Sequence, residues 1–171
     1  MRFALEGVSL EDDAPKPVLT EPVASEPVVL APQARPSALL FACRMNAIRS
    51  PMAAAITRQM FPGQIYTQSA GVRPGALDPF VQAVMDEIGI DISSHKPHTF
   101  EELEDTNFDL IITLAPEAHH KAMELTRTNA LEVEYWPMQD PSLATGSREQ
   151  ILDSYRAIRD ELARRIRERF S

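Results

Sequence analysis

From Ser37 onward, short apolar runs alternate with longer stretches whose apolar positions recur every three or four residues, and the alternation reads as strand, helix, strand, helix. "ALLFAC" is apolar throughout, as expected of a strand buried on both faces of a parallel sheet. "IYTQSAG", "FDLIITLA" and "LEVEYW" predict three more strands. Between the first two, Ser50 is placed to cap a helix with Pro51 at its first position, continuing through "MAAAITRQM" to Phe61. "LDPFVQAVMDEIG" predicts a helix capped by Asp78, opened by Pro79 and stopped at Gly89, and "PEAHHKAMELTR" predicts the next. In the long last helix Ile151, Leu152, Tyr155, Ile158, Leu162, Ile166 and Phe170 fall on one stripe. Arg156, Arg159, Arg164, Arg165 and Arg167 decorate the remainder. The expected fold class is therefore α/β, a four-stranded parallel, doubly wound sheet flanked by helices with right-handed connections. Ligands in such sheets bind beyond the carboxyl ends of the strands, where strand order reverses. Cys43 sits at one such end.

The first 36 residues follow another pattern. Pro15, Pro17, Pro22, Pro27, Pro32 and Pro36 alternate with Glu6, Glu11, Asp12, Asp13, Glu21 and Glu26, a mixture that sustains no helix and buries little apolar area. A flexible, extended, acid-rich arm is expected over 1–36, with a docking peptide around "PVVLAP" as the sharper alternative, and one catalytic domain over 37–171.

Composition narrows the partners. A formal net charge of -8 over 171 residues gives no broad positive field for nucleic acid. A basic protein surface is an easier partner. The single cysteine cannot form an internal disulfide, and no Cys and His stand in zinc-site spacing. With no bilayer-spanning apolar run and no basic-then-apolar leader, the expected setting is cytoplasmic, away from membranes.

The chemistry gathers in "CRMNAIRS". A turn from strand to helix can aim successive backbone N–H groups inward, and on the positive end of a helix dipole such a nest binds a phosphate-like dianion without metal. The same field favours thiolate over thiol at Cys43. Arg49 supplies a planar fork for two oxygens of a phosphoryl group, Ser50 a hydroxyl for the sulfur, and Asn46 a residue tolerant of left-handed backbone. The bland alternative makes Cys43 an inert core residue, Arg49 a surface charge and Ser50 a cap. Attack by sulfur on a phosphate ester also needs a proton donor for the departing oxygen. Two Asp-Pro pairs are available, Asp78-Pro79 and Asp140-Pro141, and either can be a simple turn former.

"LLFACRMNAIRSPMA" resembles the phosphate-binding loop of the low-molecular-weight protein tyrosine phosphatases and the related thioredoxin-coupled arsenate reductases, whose motif runs Cys-x-x-Asn-x-x-Arg-Ser. "QSAG", "MDEIGIDISSH", "FDLIITLAPEA" and "WPMQDP" follow in the family's order, so the likeness runs from about Ser37 to the C-terminus. The resemblance implies a phosphomonoester hydrolase, of the protein tyrosine phosphatase type, with a phosphocysteine intermediate and no cofactor or metal. Its substrate would be a phosphorylated protein or a small phosphomonoester. It further implies Cys43 as nucleophile, Arg49 as the phosphate clamp and Asp140 as general acid, with Asp78 left as a helix cap. Arg44, Met45, Asn46, Ala47, Ile48 and Ser50 would complete the phosphate-binding loop after the first strand, and Ser69 and His95 would bond to Asn46 and hold its shape. His98, His119 and His120 are expected at the surface or in packing.

Four positions depart from the family. Met45 replaces glycine, so it either strains the loop or narrows the pocket mouth. Arg44, where an aliphatic residue is frequent, would favour acidic surroundings on the substrate. Ile48 replaces a second cysteine. Ser142 replaces the aromatic residue that follows Asp-Pro in the tyrosine phosphatases. Ala115 stands where the arsenate reductases carry a resolving cysteine, so arsenate reduction would need an external thiol. A non-catalytic module that binds phosphorylated partners is the third reading.

Overall fold

The computed structural model describes residues 35–105 and 107–171; of the expected arm, only Arg35 and Pro36 fall among them. Four strands form one parallel sheet: β1 Ala38–Cys43, β2 Tyr66–Gly71, β3 Leu110–Thr113 and β4 Glu132–Tyr135, in the order β2-β1-β3-β4. The chain adds β2 on one side of β1 and then crosses to the other, so strand order reverses at β1. A crevice opens there, at the carboxyl end that carries Cys43. The helices are α1 Arg49–Met60, α2 Pro79–Asp86, α3 Pro116–Leu125 and α4 Arg148–Phe170, with short 3-10 turns at Phe100–Glu102 and Pro141–Leu143. None of the described helices is long and apolar enough to cross a membrane.

Alternation along β1 splits the core into two layers. Leu39, Phe41 and Cys43 face the helices α1, α2 and α4, packing with Met52, Ile56, Val84, Leu152, Leu162 and Ile166. Leu40 and Ala42 face the other way, onto Ala118 and Ala122 of α3 and onto Phe100 and Phe108. Both faces of the sheet are thus covered, which accounts for the unbroken apolar run of "ALLFAC". A fully buried leucine or phenylalanine contributes about 1.5–3 kcal/mol relative to exposure, and β1 supplies Leu39, Leu40 and Phe41 to the two layers.

Local signals set the helix ends. Asp78 caps α2, its side chain accepting from the Phe80 N–H at 2.8 Å, and Gly89 turns the chain with φ +77. Ser147 and Gln150 form a reciprocal capping box at the start of α4. Two expectations need correction. Ser50 does not cap α1: the helix begins at Arg49, two residues earlier than expected, after Ile48 and without a side-chain cap, and the Ser50 hydroxyl is engaged elsewhere. Arg159 is no surface charge either. It is buried, donating to the Val84 carbonyl at 2.8 Å and pairing with Glu87 and Asp160 at 2.7 and 2.8 Å. Those carboxylates satisfy a guanidinium that the apolar stripe of α4 reads only as non-apolar.

Candidate active site

β1 ends at Cys43 and α1 starts at Arg49, so residues 44–48 form a turn between the strand end and the helix N-terminus. Asn46 is the one non-glycine residue with positive φ among the described residues, at +57. Asparagine tolerates this left-handed conformation better than a bulky residue does. Met45 does not carry it, so of the two readings for that position the spatial one holds: its half-exposed side chain takes up room at the mouth.

Asn46 is fully buried and bonded on every side. Its Nδ2 donates to Ser50 Oγ and Ser69 Oγ, both at 2.9 Å, and its Oδ1 accepts from the His98 backbone N–H at 3.0 Å. His95 Nε2 lies 3.0 Å from the Asn46 carbonyl. Burial lowers the His95 pKa, with the charges of His98 and Arg58 adding to the effect and the Asn46 carbonyl opposing it. A neutral ring donating its Nε2–H to that carbonyl fits these surroundings. His98 therefore takes part through its backbone, while His119 meets Thr113 Oγ1 at 3.0 Å and stacks on Tyr135, and His120 faces Glu124 at 3.8 Å.

Ser50, freed from capping, lies 2.9 Å from Cys43 Sγ, and both are buried. Arg49, also buried, donates from Nη1 to the Met138 carbonyl at 2.9 Å and so ties the start of α1 to the loop that leads to Asp140. Asp140 caps the 3-10 turn: its Oδ1 accepts from the Ser142 N–H at 2.9 Å and from Ser142 Oγ at 2.6 Å. Two walls enclose a small cavity of about 50 Å³, with Cys43, Arg44, Met45, Ala47, Ile48 and Arg49 on one and Asp140 and Ser142 on the other. That volume is several times the ~10–15 Å³ one water needs, room for a compact oxyanion. Among the described residues, the backbone N–H groups of Met45, Asn46, Ala47 and Ile48 donate to no protein acceptor. A larger cleft of about 630 Å³ along β2, lined in part by Tyr66, Gln68 and Glu102, brings no nucleophile together with a cation.

Several contributors left no mark in the sequence pattern. Gly71, at the end of β2, lies so close to the turn that a Cβ there would come within 2.7 Å of Asn46 N and Met45 C. Tyr155, read as core, donates its hydroxyl to Asp78 Oδ2 at 2.7 Å, while the Asp78 N–H reaches the Ala47 carbonyl at 3.4 Å. Burial, then Asp78, then the charge of Asp140 push the Tyr155 pKa far up, so it stays a donor. Arg44 Nε pairs with Glu117 at 3.1 Å, and Arg73 joins the same carboxylate at 3.4 Å. Trp136 is buried against Phe41, whereas Tyr135 is exposed at the sheet end.

A central strand of the parallel α/β sheet thus ends at a thiol, and an arginine stands at the other end of the strand-to-helix turn that follows. The family model described as low molecular weight phosphotyrosine protein phosphatase matches residues 38–170, and the chain belongs to this family. It is 31% identical over 130 residues to an arsenate reductase of Bacillus subtilis, a match covering 76% of this chain and 92% of the relative. Among solved structures it is similar to the tyrosine phosphatase AmsI of Erwinia amylovora, with a TM-score of 0.64 and 18% identity over 79% of this chain and 91% of the other. The arginine phosphatase YwlE, solved with a phosphorylated active-site serine, gives a TM-score of 0.61 at 20% identity, covering 77% and 91%. At these identities the two structures establish the fold.

Proposed function

We propose that this protein hydrolyses phosphomonoesters, with protein phosphotyrosine as the first substrate class, through a phosphocysteine intermediate. The observation that carries the reading is the convergence of Cys43, Arg49 and Asp140 on one cavity of about 50 Å³, with Ser50 Oγ 2.9 Å from the sulfur. The phosphoryl oxygens take the free N–H groups of the 44–48 turn and the Arg49 fork, where charge shifts during transfer. Cys43 sulfur attacks phosphorus, the bond to the leaving oxygen breaks, and Asp140 gives that oxygen its proton. Water then attacks the phosphocysteine, Asp140 accepts a proton, and the S–P bond breaks to release phosphate and restore the thiolate. Asn46, Ser69 and His95 hold the turn in shape. Met45, Ala47 and Ile48 offer apolar walls for an aryl group. The catalytic domain in this reading is residues 37–171.

The test is turnover of an aryl phosphate by wild type beside Cys43→Ser, with and without a chelator, and phosphoarginine as second probe because one structural relative is named an arginine phosphatase. Hydrolysis lost in the variant and indifferent to the chelator supports the reading; equal activity in Cys43→Ser removes it. Arsenate reduction is the second reading, favoured by the Bacillus subtilis relative. With one cysteine in the 171 residues, electrons would have to come from an external thiol. Arsenate turnover with supplied thiol that exceeds phosphate-ester turnover would put this reading first. A binding module for phosphorylated partners would need neither the thiol nor the acid.

A further inference from the structure

A carboxylate already occupies the rim of the cup. Arg44 and Arg73 are set side by side by the backbone, because the Arg44 carbonyl accepts from the N–H groups of Val72 and Arg73 at 2.8 and 2.9 Å. Their guanidinium groups converge on Glu117, which reaches them from the first turn of α3: Arg44 Nε lies 3.1 Å from Oε1, and Arg73 Nη2 lies 3.4 Å from Oε2. All three side chains remain open to solvent, at 51%, 60% and 42% exposure.

Two guanidinium groups fixed by neighbouring backbone make a receptor for one carboxylate, and Glu117 shows that a carboxylate fits. The contacts are longer than the ~2.7–2.9 Å of strong charge-assisted bonds, and exposed pairs of this kind are worth little. An incoming carboxylate can therefore exchange with Glu117 at small cost. Arg44 also lines the cup, so a carboxylate held on this rim lies beside the phosphoryl group. The overall charge of -8 does not attract acidic peptides, which makes a local pair of arginines decisive for them.

We propose that Arg44 and Arg73 form a subsite for an acidic side chain flanking the phosphorylated residue of a protein substrate, with Glu117 as the internal placeholder that the substrate displaces. The inference rests on the phosphatase reading and narrows its substrate class to acid-flanked phosphosites. Because Glu117 competes for the same arginines, the native preference is modest, and neutralising Glu117 increases it.

Two phosphotyrosine peptides test this, identical except that glutamates or alanines flank the phosphotyrosine. Dissociation constants are measured by fluorescence anisotropy on the full chain carrying Cys43→Ala, which has no nucleophile to take the phosphoryl group, and again with Arg73→Gln or Glu117→Gln added. The glutamate peptide is expected to bind about two- to fivefold more tightly, the range of an exposed ion pair. Arg73→Gln should bring the ratio close to one, Glu117→Gln should raise it by a further two- to fivefold, and salt near 1 M should erase it. Equal affinities for the two peptides, a ratio untouched by both substitutions, or no binding of either peptide would overturn the inference. The catalytic reading is judged separately, by wild-type turnover of an aryl phosphate, and can stand when the subsite fails.

Discussion

Asn46, buried within the Cys43–Arg49 turn, and Asp140, which lines the cavity from the other wall, are held in opposite ways. Asn46 is fully buried and bonds to Ser50, Ser69, His95 and the His98 backbone, with partners up to 52 residues away. Asp140 is half-buried, and among the described residues its side chain accepts hydrogen bonds only from Ser142, two residues along. The turn is thus tied to α1, to β2 and to the segment after α2, which fixes the direction of its amides. Asp140 is held by its own turn alone; in the proposed role of general acid, this lets it adjust to leaving groups of different size without disturbing the neighbouring turn.

The most severe test breaks the floor at its reacting atom: Cys43→Ser should lower aryl phosphate turnover at least about 10⁴-fold, by analogy with loss of other covalent nucleophiles. Asp140→Ala follows, with a loss of about 10²–10⁴-fold on poor leaving groups, much less on good ones, and unchanged thermal stability. Uniform slowing across a leaving-group series would take Asp140 out of the acid role. Asn46→Ala should behave in the opposite sense. It leaves Ser69 and the His98 N–H without their partner and puts alanine at φ +57, so stability should fall by about 2–4 kcal/mol and turnover by about 10²-fold on good and poor leaving groups alike.

A smaller effect concerns pH. His95 has its pKa held below the ordinary 6.5 by burial, so as pH falls the unfolded chain takes up the proton before the folded one does. The contribution of the neutral ring is complete above pH 6.5 and is lost as pH drops through that value towards the folded pKa. The melting temperature should therefore decline as pH falls below about 6.5, and His95→Gln should flatten that decline; parallel curves would count against it. The smallest effect is expected from Ser142→Ala, a change of no more than about fivefold in turnover, since only one side-chain hydrogen bond of about 1 kcal/mol disappears.

The strands and the starts of α2 and α3 were legible because each is written in neighbouring residues. "ALLFAC" matches β1 residue for residue, and Asp78-Pro79 opens α2 as its composition predicts. The turn from Cys43 to Arg49 was legible as a motif for the same reason. What escaped depends on distant partners. Ser50 looks like a cap until Cys43 and Asn46 claim its hydroxyl, and Arg159 looks solvated until Glu87 and Val84 surround it. The pairing of Arg44 with Glu117 and Arg73 joins three segments that only the sheet order brings together. Departure from the family at Met45 could be read two ways in sequence, and the backbone angle at Asn46 decides between them.

Gly71 carries a consequence for anyone altering this molecule. Its missing side chain makes the end of β2 the mould in which the neighbouring turn is cast, with 2.7 Å between a would-be methyl and the Asn46 nitrogen. An alanine there touches no substrate and removes no functional group, yet it would push the amide cradle out of shape while the sheet stays paired. In the reading proposed above, such a protein would grip oxyanions poorly, and the overlap with backbone would lower its melting temperature as well.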